Sequence, residues 1–222
     1  GMQRGAGQFV SSGRGSATTL TLDDADALSE ADYVGAVAPE SSRREQVTAG
    51  GNNTNTQITG TTSSYTDVRN VSVDLGTFFT NAQTASRAKV AVLGPTTRDD
   101  LFGEDVNPVG QKVRISGMMF TVIGMTATKG GSGLSNQDDV IYIPVTTMST
   151  YLAGSESVST ISVKAVDQAS MTLAEQSITS LLLERHGISD AALADFSVMN
   201  QSDIVSMASS VTDTFTLSLI HI

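Results

Sequence analysis

Apolar residues recur along this chain with two different spacings, and the change from one to the other divides it into three stretches. In the first, Leu22, Ala25 and Leu28 share a helical face, with Thr21 placed as the cap and Asp23, Asp24 and Asp26 near the positive helix end. Tyr33–Ala38 and Arg44–Ala49 read as strands, Gly50-Gly51-Asn52-Asn53 as a turn, and Thr54–Thr59 as the return of a hairpin. A short helix near Thr66–Val68 and an extended piece over Val71–Gly76 follow. The middle stretch consists of short apolar runs. Ala88–Leu93 is a buried strand closed by Gly94-Pro95, Thr97–Phe102 is a short helix with Leu101 and Phe102 inward, and Asn107-Pro108-Val109-Gly110 is a turn. Lys112–Ile115 and Phe120–Met125 flank Ser116-Gly117 as paired strands, and Val140–Ile143 closes the set. In the last stretch Ile161, Val163 and Ala165 mark one face of a strand over Thr160–Val166. Met171, Ala174, Ile178, Leu181 and Leu182 follow helical spacing over 171–185, and Gly187 stops that helix. Phe196–Met199 reads as a short strand, and Asn200 or Ser202 opens a long helix striped by Ile204, Ala208, Val211, Phe215 and Leu219.

The order is therefore α/β, β-rich, then α/β, which predicts a mixed α/β (α+β) fold with the middle inserted. Residues 17–86 and 153–222 are expected to fold together, as an open sheet with helices on one face. Residues 87–152 are expected to form a β-rich unit with its own core, and residues 1–16 a flexible lead rich in Gly, Ser and Arg.

Composition narrows the function classes. The net charge of −10 argues against nucleic acid as a partner and weakens adhesion to anionic lipid, while it permits a cationic one. Cysteine is absent, so there is neither a disulfide nor a thiolate metal site, and Ser plus Thr make up roughly a quarter of the chain, as in many exported proteins. Residues 1–19 lack the apolar core of a signal peptide, and no run reaches the length of a membrane span. Phe215–Ile222 turns apolar, which fits either the first turns of a membrane helix or the end of an ordinary amphipathic one.

Candidate chemistry is sparse. His186 and His221 are the only histidines; His186 falls at a helix end, and nothing nominates a nucleophile or an orienting acid for it. There is no nucleophile elbow and no phosphate-binding P-loop, and two distant histidines without cysteine make no zinc site. Asp99-Asp100 and Asp138-Asp139 read as solvated loop or cap acids, because adjacent side chains point apart. The triple acid at Asp23–Asp26 lacks the glycine and distal glutamate of a calcium loop. Met118 and Met119 read as one core and one outward residue. The small, mobile tip Lys129, Gly130, Gly131, Ser132 and Gly133 lacks the strand-to-helix setting of an anion cradle and is instead a candidate partner contact. No catalytic, cofactor-binding or metal residues are nominated.

A series of phrases resembles one family. They are Thr21-Leu22-Asp23-Asp24-Ala25-Asp26-Ala27-Leu28, the strand Val34–Pro39, Gly60-Thr61 with Tyr65 and Arg69-Asn70, and Gly76-Thr77-Phe78-Phe79-Thr80. Val90–Gly94, Leu101-Phe102-Gly103, Asn107-Pro108-Val109-Gly110-Gln111, Phe120–Gly124, Gln137-Asp138-Asp139 and Ile143-Pro144 continue it. In order and spacing, over roughly residues 18–220, they resemble the MacB-like periplasmic core domain of ABC-transporter permeases of the MacB, FtsX and LolC type. Ser64 departs from the usual proline-acid wording, and Met2–Val10 represents the family's first strand poorly.

The resemblance implies a discontinuous α/β porter-like lobe with an inserted β-rich sabre-like lobe, on the periplasmic or extracellular side of the cell (inner) membrane. One membrane helix would precede the domain and three would follow it. The implied partners are a second copy of the permease, an ABC ATP-binding subunit or domain, and in two-membrane cells an adaptor protein and an outer-membrane duct. The implied function is to couple cytoplasmic ATP hydrolysis to extrusion of a drug, peptide or lipoprotein by mechanical motion, with no cofactor and no catalysis in this domain. From the charge alone, a free-standing secreted binding protein for cationic peptides is the alternative.

Overall fold

The computed structural model describes residues 19–130 and 136–199. Helix α1 (Leu22–Ser29) opens the chain. Thr21 caps it reciprocally: its hydroxyl accepts from the Asp24 amide, and the Asp24 carboxylate accepts from the Thr21 amide. Then come β1 (Val34–Ala49), β2 (Asn52–Thr61), α2 (Tyr65–Val68), β3 (Val73–Gly76) and α3 (Asn81–Ala85). The middle supplies β4 (Val90–Leu93), α4 (Pro95–Phe102), β5 (Lys112–Ile115), β6 (Met118–Thr126), β7 (Val140–Pro144) and α5 (Val145–Met148). A π-helical turn, Ser149–Ala153, leads to β8 (Thr160–Ala165) and α6 (Met171–Arg185). The mixed α/β class is as expected.

Strand pairing closes a ring. The order β2-β7-β4-β6-β5-β1 returns to β2 through the β1–β2 hairpin, so six strands form a closed barrel. Each strand turns alternate residues inward, as the period-two pattern requires. Val47, Ile58, Ile141, Leu93, Phe120 and Ile115 represent the six strands in one buried core. Leu101 of α4 and Met148 of α5 enter the same core. Gly60 makes room for α5: a Cβ there would lie 2.5 Å from the Cβ of Met148. Closure leaves the barrel with few unpaired strand edges, which limits aggregation.

β1 is longer than the barrel needs. Expected as two strands separated by Pro39–Arg43, it is one continuous strand of 16 residues. From Ser41 to Ala49 it pairs with β2, and from Val34 to Glu40 it pairs antiparallel with β8. Pro39 is tolerated because the backbone of Glu40 faces β8, its carbonyl accepting from Ser159 at 2.8 Å. The neighbouring Pro39 nitrogen therefore faces away from that ladder, where no amide is needed.

One face of the β1–β8 ribbon carries α1 and α6, with Leu28, Val37, Ile178 and Leu182 at the centre. The opposite side meets α2. Tyr65, Phe79, Val92 and Tyr142 build the third core there, between α2, the 78–79 segment and the outside of the barrel.

Several boundaries differ from expectation. The β-rich core is not confined to residues 87–152. Gln57–Thr61 pairs in parallel with Val140–Pro144, and Val47 and Thr48 pair with Ile115 and Arg114, so β1 and β2 cross that division. A barrel cannot close from four short strands, and the hairpin supplies the other two. Phe196–Met199 is irregular chain rather than a strand. Phe196 and Val198 pack on the α1–α6 core, which explains the alternating pattern without a pairing partner. Helix α3, capped reciprocally by Thr80 and Gln83, escapes the hydrophobic pattern because it buries only Thr84. The expected lead 1–16, the helix from Ser202 and the apolar end 215–222 lie outside the described residues.

The inward and outward sets of β6 give a direct test. Phe120 is fully buried, whereas Met119 is 40% exposed. Phe120→Ala should cost about 3–5 kcal/mol in urea unfolding. Met119→Ala should stay within about 0.5 kcal/mol. The reverse ranking would mean the register is displaced by one residue.

Candidate functional site

A connected group of polar side chains forms where β1 changes partner, around the buried Glu40. Glu40 pairs with Thr160 of β8, and the next residue, Ser41, pairs with Gly60 of β2. Glu40 is only 7% exposed. Its carboxylate accepts from Arg69 Nε at 3.1 Å and Nη2 at 3.3 Å, a two-pronged ion pair. Ser162 Oγ of β8 donates to the same carboxylate, and Ser159 Oγ donates to the Glu40 carbonyl at 2.9 Å.

Local structure places Arg69 for this. It is the C-cap of α2, and Asn70 follows in the left-handed region at φ 49°, turning the chain so that the Val71 amide bonds back to the Thr66 carbonyl. Burial works against the Arg69 charge, but the Glu40 carboxylate outweighs it and raises its pKa. Tyr65 and Tyr142 lie beside the pair with ring centroids 5.2 Å apart and planes tilted by 47°. Burial first, then the Glu40 charge, raises the Tyr65 pKa; burial and the Tyr65 ring raise that of Tyr142.

The sequence-nominated contact loop is rooted on this same group. Lys129 Nζ donates to the Arg69 carbonyl at 2.8 Å, so its charge folds back onto the domain. Burial and the Arg69 charge lower the Lys129 pKa, with Asp138 opposing them. The Asp138 carboxylate accepts from the amides of Lys129 and Gly130 at 2.9 and 3.1 Å, pinning the start of the loop to the start of β7. Gly131, Ser132 and Gly133 lie outside the described residues.

The tandem acids each have separate structural tasks. Asp99 pairs with Arg98, Asp100 accepts from Thr54, and Asp139 pairs with Arg44 at 2.8 Å. They point to different partners, as alternating geometry dictates. An open cleft of about 360 Å³ runs along the β1–β2 turn and is lined by Thr48, Gly51, Asn53, Lys112, Arg114 and Met119, which hold no acid–base pair. Among the described residues no group of three or more His, Cys, Asp or Glu side chains could hold a metal ion, and no helix is long and apolar enough to cross a membrane.

His186 is indeed a helix C-cap, and it is also part of a cluster that the sequence did not reveal. Its Nδ1 lies 2.8 Å from Asp195, and its Nε2 3.4 Å from Asp24. Arg185 Nε donates to Asp24 at 2.7 Å. Both imidazole nitrogens are engaged by carboxylates, so neither is free to take a proton from a nucleophile. The cluster ties the N-terminus of α1 to the C-terminus of α6 and to the segment after it.

Comparison with known proteins decides the family. The profile of the family described as the MacB-like periplasmic core domain matches residues 2–181. The chain belongs to this family. It is 35% identical over 202 residues to the macrolide export ATP-binding/permease protein MacB of Wolinella succinogenes, covering 90% of this chain and 31% of that protein. The MacB protein of Bdellovibrio bacteriovorus is 32% identical over 205 residues, again covering 31% of the relative. The chain thus spans about a third of the length of these relatives. The crystal structure of the periplasmic region of MacB from Actinobacillus actinomycetemcomitans superposes with a TM-score of 0.74 at 27% identity, covering 86% of this chain and 83% of that one. The extracellular domain of the noncanonic ABC-type transporter YknZ from Gram-positive bacteria shares the fold, with a TM-score of 0.70 at 23% identity over 82% and 90% of the two chains.

Sequence reasoning quoted Arg69 only as a family phrase and passed over Glu40 and Ser162. A glutamate directly after the apolar strand Val34–Pro39 was the available signal, since a charge there must be paired or exposed.

The His186 cluster gives this MacB-like domain a predictable pH response. Burial opposes the His186 charge, but Asp195 and Asp24 outweigh it and raise its pKa above the ordinary 6.5. Burial also pushes the Asp24 carboxyl up, but hydrogen bonds from Arg185, Thr21 and His186 prevail and lower it to about 2. A raised histidine pKa stabilises fully below 6.5 and loses its contribution as pH rises through the folded value. A lowered aspartate pKa stabilises above 3.8 and loses its contribution as pH falls towards 2. Urea midpoints of wild type and His186→Ala should therefore differ most near pH 5–6 and converge by about pH 9. A gap that widens with rising pH would refute the assignment.

Proposed function

We propose that this domain is the extracytoplasmic part of an ABC-transporter permease that couples cytoplasmic ATP hydrolysis to extrusion of a substrate, and that it does so mechanically, without catalysis of its own. The observation that carries this reading is the match of sequence and fold over most of the chain to proteins named as macrolide export permeases. The site geometry agrees with it. The buried charges form ion pairs and caps that hold elements together, and the one histidine described is locked between two acids.

In this reading the domain has two lobes. The barrel, with α4 and the Lys129–Gly133 loop, is the outward, sabre-like lobe, and α1, α6 and the β1–β8 ribbon are the porter-like lobe. The described chain begins beside α1 and ends with Phe196 and Val198 packed in the α1–α6 core. Both continuations therefore leave from the same lobe, which would face the inner membrane. The partners are a second copy of the permease, the ATP-binding domain, and an adaptor and duct where two membranes must be crossed. The loop from Gly130 to Gly133 is the adaptor contact, while Lys129 holds its root.

Two measurements test the reading. The gene beyond residue 222 should encode three hydrophobic spans, with one span ahead of the domain and an ATP-binding domain fused or adjacent. A stop codon directly after residue 222 with no upstream span would overturn it. Calorimetry of the domain with basic peptides should show no saturable heat at either low or physiological salt. Salt-sensitive saturation, together with a cleaved signal peptide, would favour the secreted peptide binder instead.

A further inference from the structure

We propose that the step from Glu40 to Ser41 is a hinge between the β1–β8 ribbon and the barrel, and that the Glu40–Arg69 ion pair is its latch. The inference concerns the described chain alone and holds or fails independently of what a whole transporter moves. Three observations carry it.

The first is topological. β1 is unbroken through the step, yet its backbone ladder passes from β8 to β2 between two consecutive residues. No other strand belongs to both the ribbon and the barrel. A small rotation in the backbone at this step turns one sheet relative to the other without breaking a ladder bond in either.

The second is the character of the surface that would have to slide. The ribbon side facing α2 presents Ala38, Glu40, Ser162 and Lys164. These are small or polar. α2 lies against β1 and β8 and reaches the barrel through Tyr65, whose ring meets Tyr142 of β7. The opposite ribbon face is tied by Leu28, Val37, Ile178 and Leu182 into a core of its own. The ribbon with α1 and α6, and the barrel, therefore each have a core of their own, and α2 bridges the two.

The third is the placement of the charge. Glu40 belongs to the ribbon, and Ser162 of β8 anchors its carboxylate from that side. Arg69 caps α2, which lies against the ribbon but turns Tyr65 and Val68 onto the outside of the barrel. The ion pair crosses the interface at the axis of the step, where it fixes one angle. Asp67–Lys164, at 2.6 Å and exposed, crosses farther out and is screened by solvent. In the Glu40–Arg69 pair the carboxylate is buried and the guanidinium half exposed, so solvent weakens the attraction and the two-pronged geometry is its main contribution. Lys129 adds a tie from the barrel side by holding the Arg69 carbonyl.

The chain contains no cysteine, so two introduced ones are the sole labelling sites. Spin labels on Asn53→Cys and Gln176→Cys report the distance from barrel to α6, and labels on Asn53→Cys and Ser86→Cys report a distance within the barrel side. Pulsed dipolar spectroscopy on the otherwise native chain should give one narrow distance for each pair. Glu40→Gln and Arg69→Met should each broaden or shift the barrel-to-α6 distribution about twofold in width and leave the other unchanged. An unchanged barrel-to-α6 distribution in both variants, or equal broadening of the two pairs, overturns the proposal. Should either variant fail to fold, Arg69→Lys decides, since it keeps the charge but loses the two-pronged contact to Glu40: broadening of the barrel-to-α6 pair alone supports the latch, and no change refutes it.

Discussion

The structure depends on β1 being one strand with two allegiances. Its second half must complete the barrel, because closure needs β2 on one side and β5 on the other. Its first half must continue into the ribbon, because β8 has no other partner strand among the described residues. Both demands fall on the same 16 residues. The strand therefore changes side-chain chemistry where it changes partner. Val34–Ala38 is small and apolar beneath the helices, Glu40–Gln46 is polar, and Val47 and Ala49 return to the barrel core. The Gly50-Gly51 turn, with φ of 57° and 95°, sends the chain back within two residues. That tight turn fixes the β1–β2 register from which the other pairings follow.

A charge at such a position needs explanation, since burying it costs desolvation that an apolar residue would avoid. The explanation lies in what surrounds it. At the change of partner the backbone ladder offers no redundancy, and the adjoining faces are too small to interlock. Arg69 supplies direction as well as attraction, because its planar fork matches a carboxylate in one orientation. The two tyrosines flank the buried Glu40 end, while the Arg69 side chain is half exposed, so the penalty for breaking the pair falls mainly on an unpaired Glu40. The same logic operates at Asp24, 4% exposed, where Arg185 and His186 join the two helices of the other core.

Much of this fold was legible in the sequence because short strands with strict alternation bury one face. Lys112–Ile115, Val140–Ile143 and the 171–185 helix stand almost where the pattern placed them. The closed ring was not legible. Closure depends on a parallel pairing between β2 and β7 that are some 80 residues apart, and periodicity carries no information about which strands meet. The same limit hid the junction. Glu40, Arg69 and Ser162 are separated by 29 and 93 positions, and each taken singly looks like a surface residue. Pro39 and the polar run after it imitated a loop, because sequence does not reveal that the proline nitrogen faces away from the ladder. Phe196–Met199 misled in the opposite sense, its alternation serving a core without a strand.

The distribution of chemistry bears on what kind of protein this is. A catalytic site concentrates groups that are poised to change protonation or to accept a ligand. Here the perturbed groups point at one another. Arg69 is held by Glu40, His186 by Asp195 and Asp24, and Lys129 by a backbone carbonyl. Apart from His186–Asp195, these contacts join elements that are distant in sequence, so each is a place where relative position is set. The polar investment of this domain goes into setting the relative positions of its elements. The π-helical turn after α5 shows the same economy. Arg43 of β1 donates to the Leu152 carbonyl there, fastening the exit from the barrel towards β8 onto the shared strand itself. The ribbon and the barrel are thus joined at residues 40–43 by the backbone of β1 and by this side-chain tie, next to the Glu40–Arg69 pair.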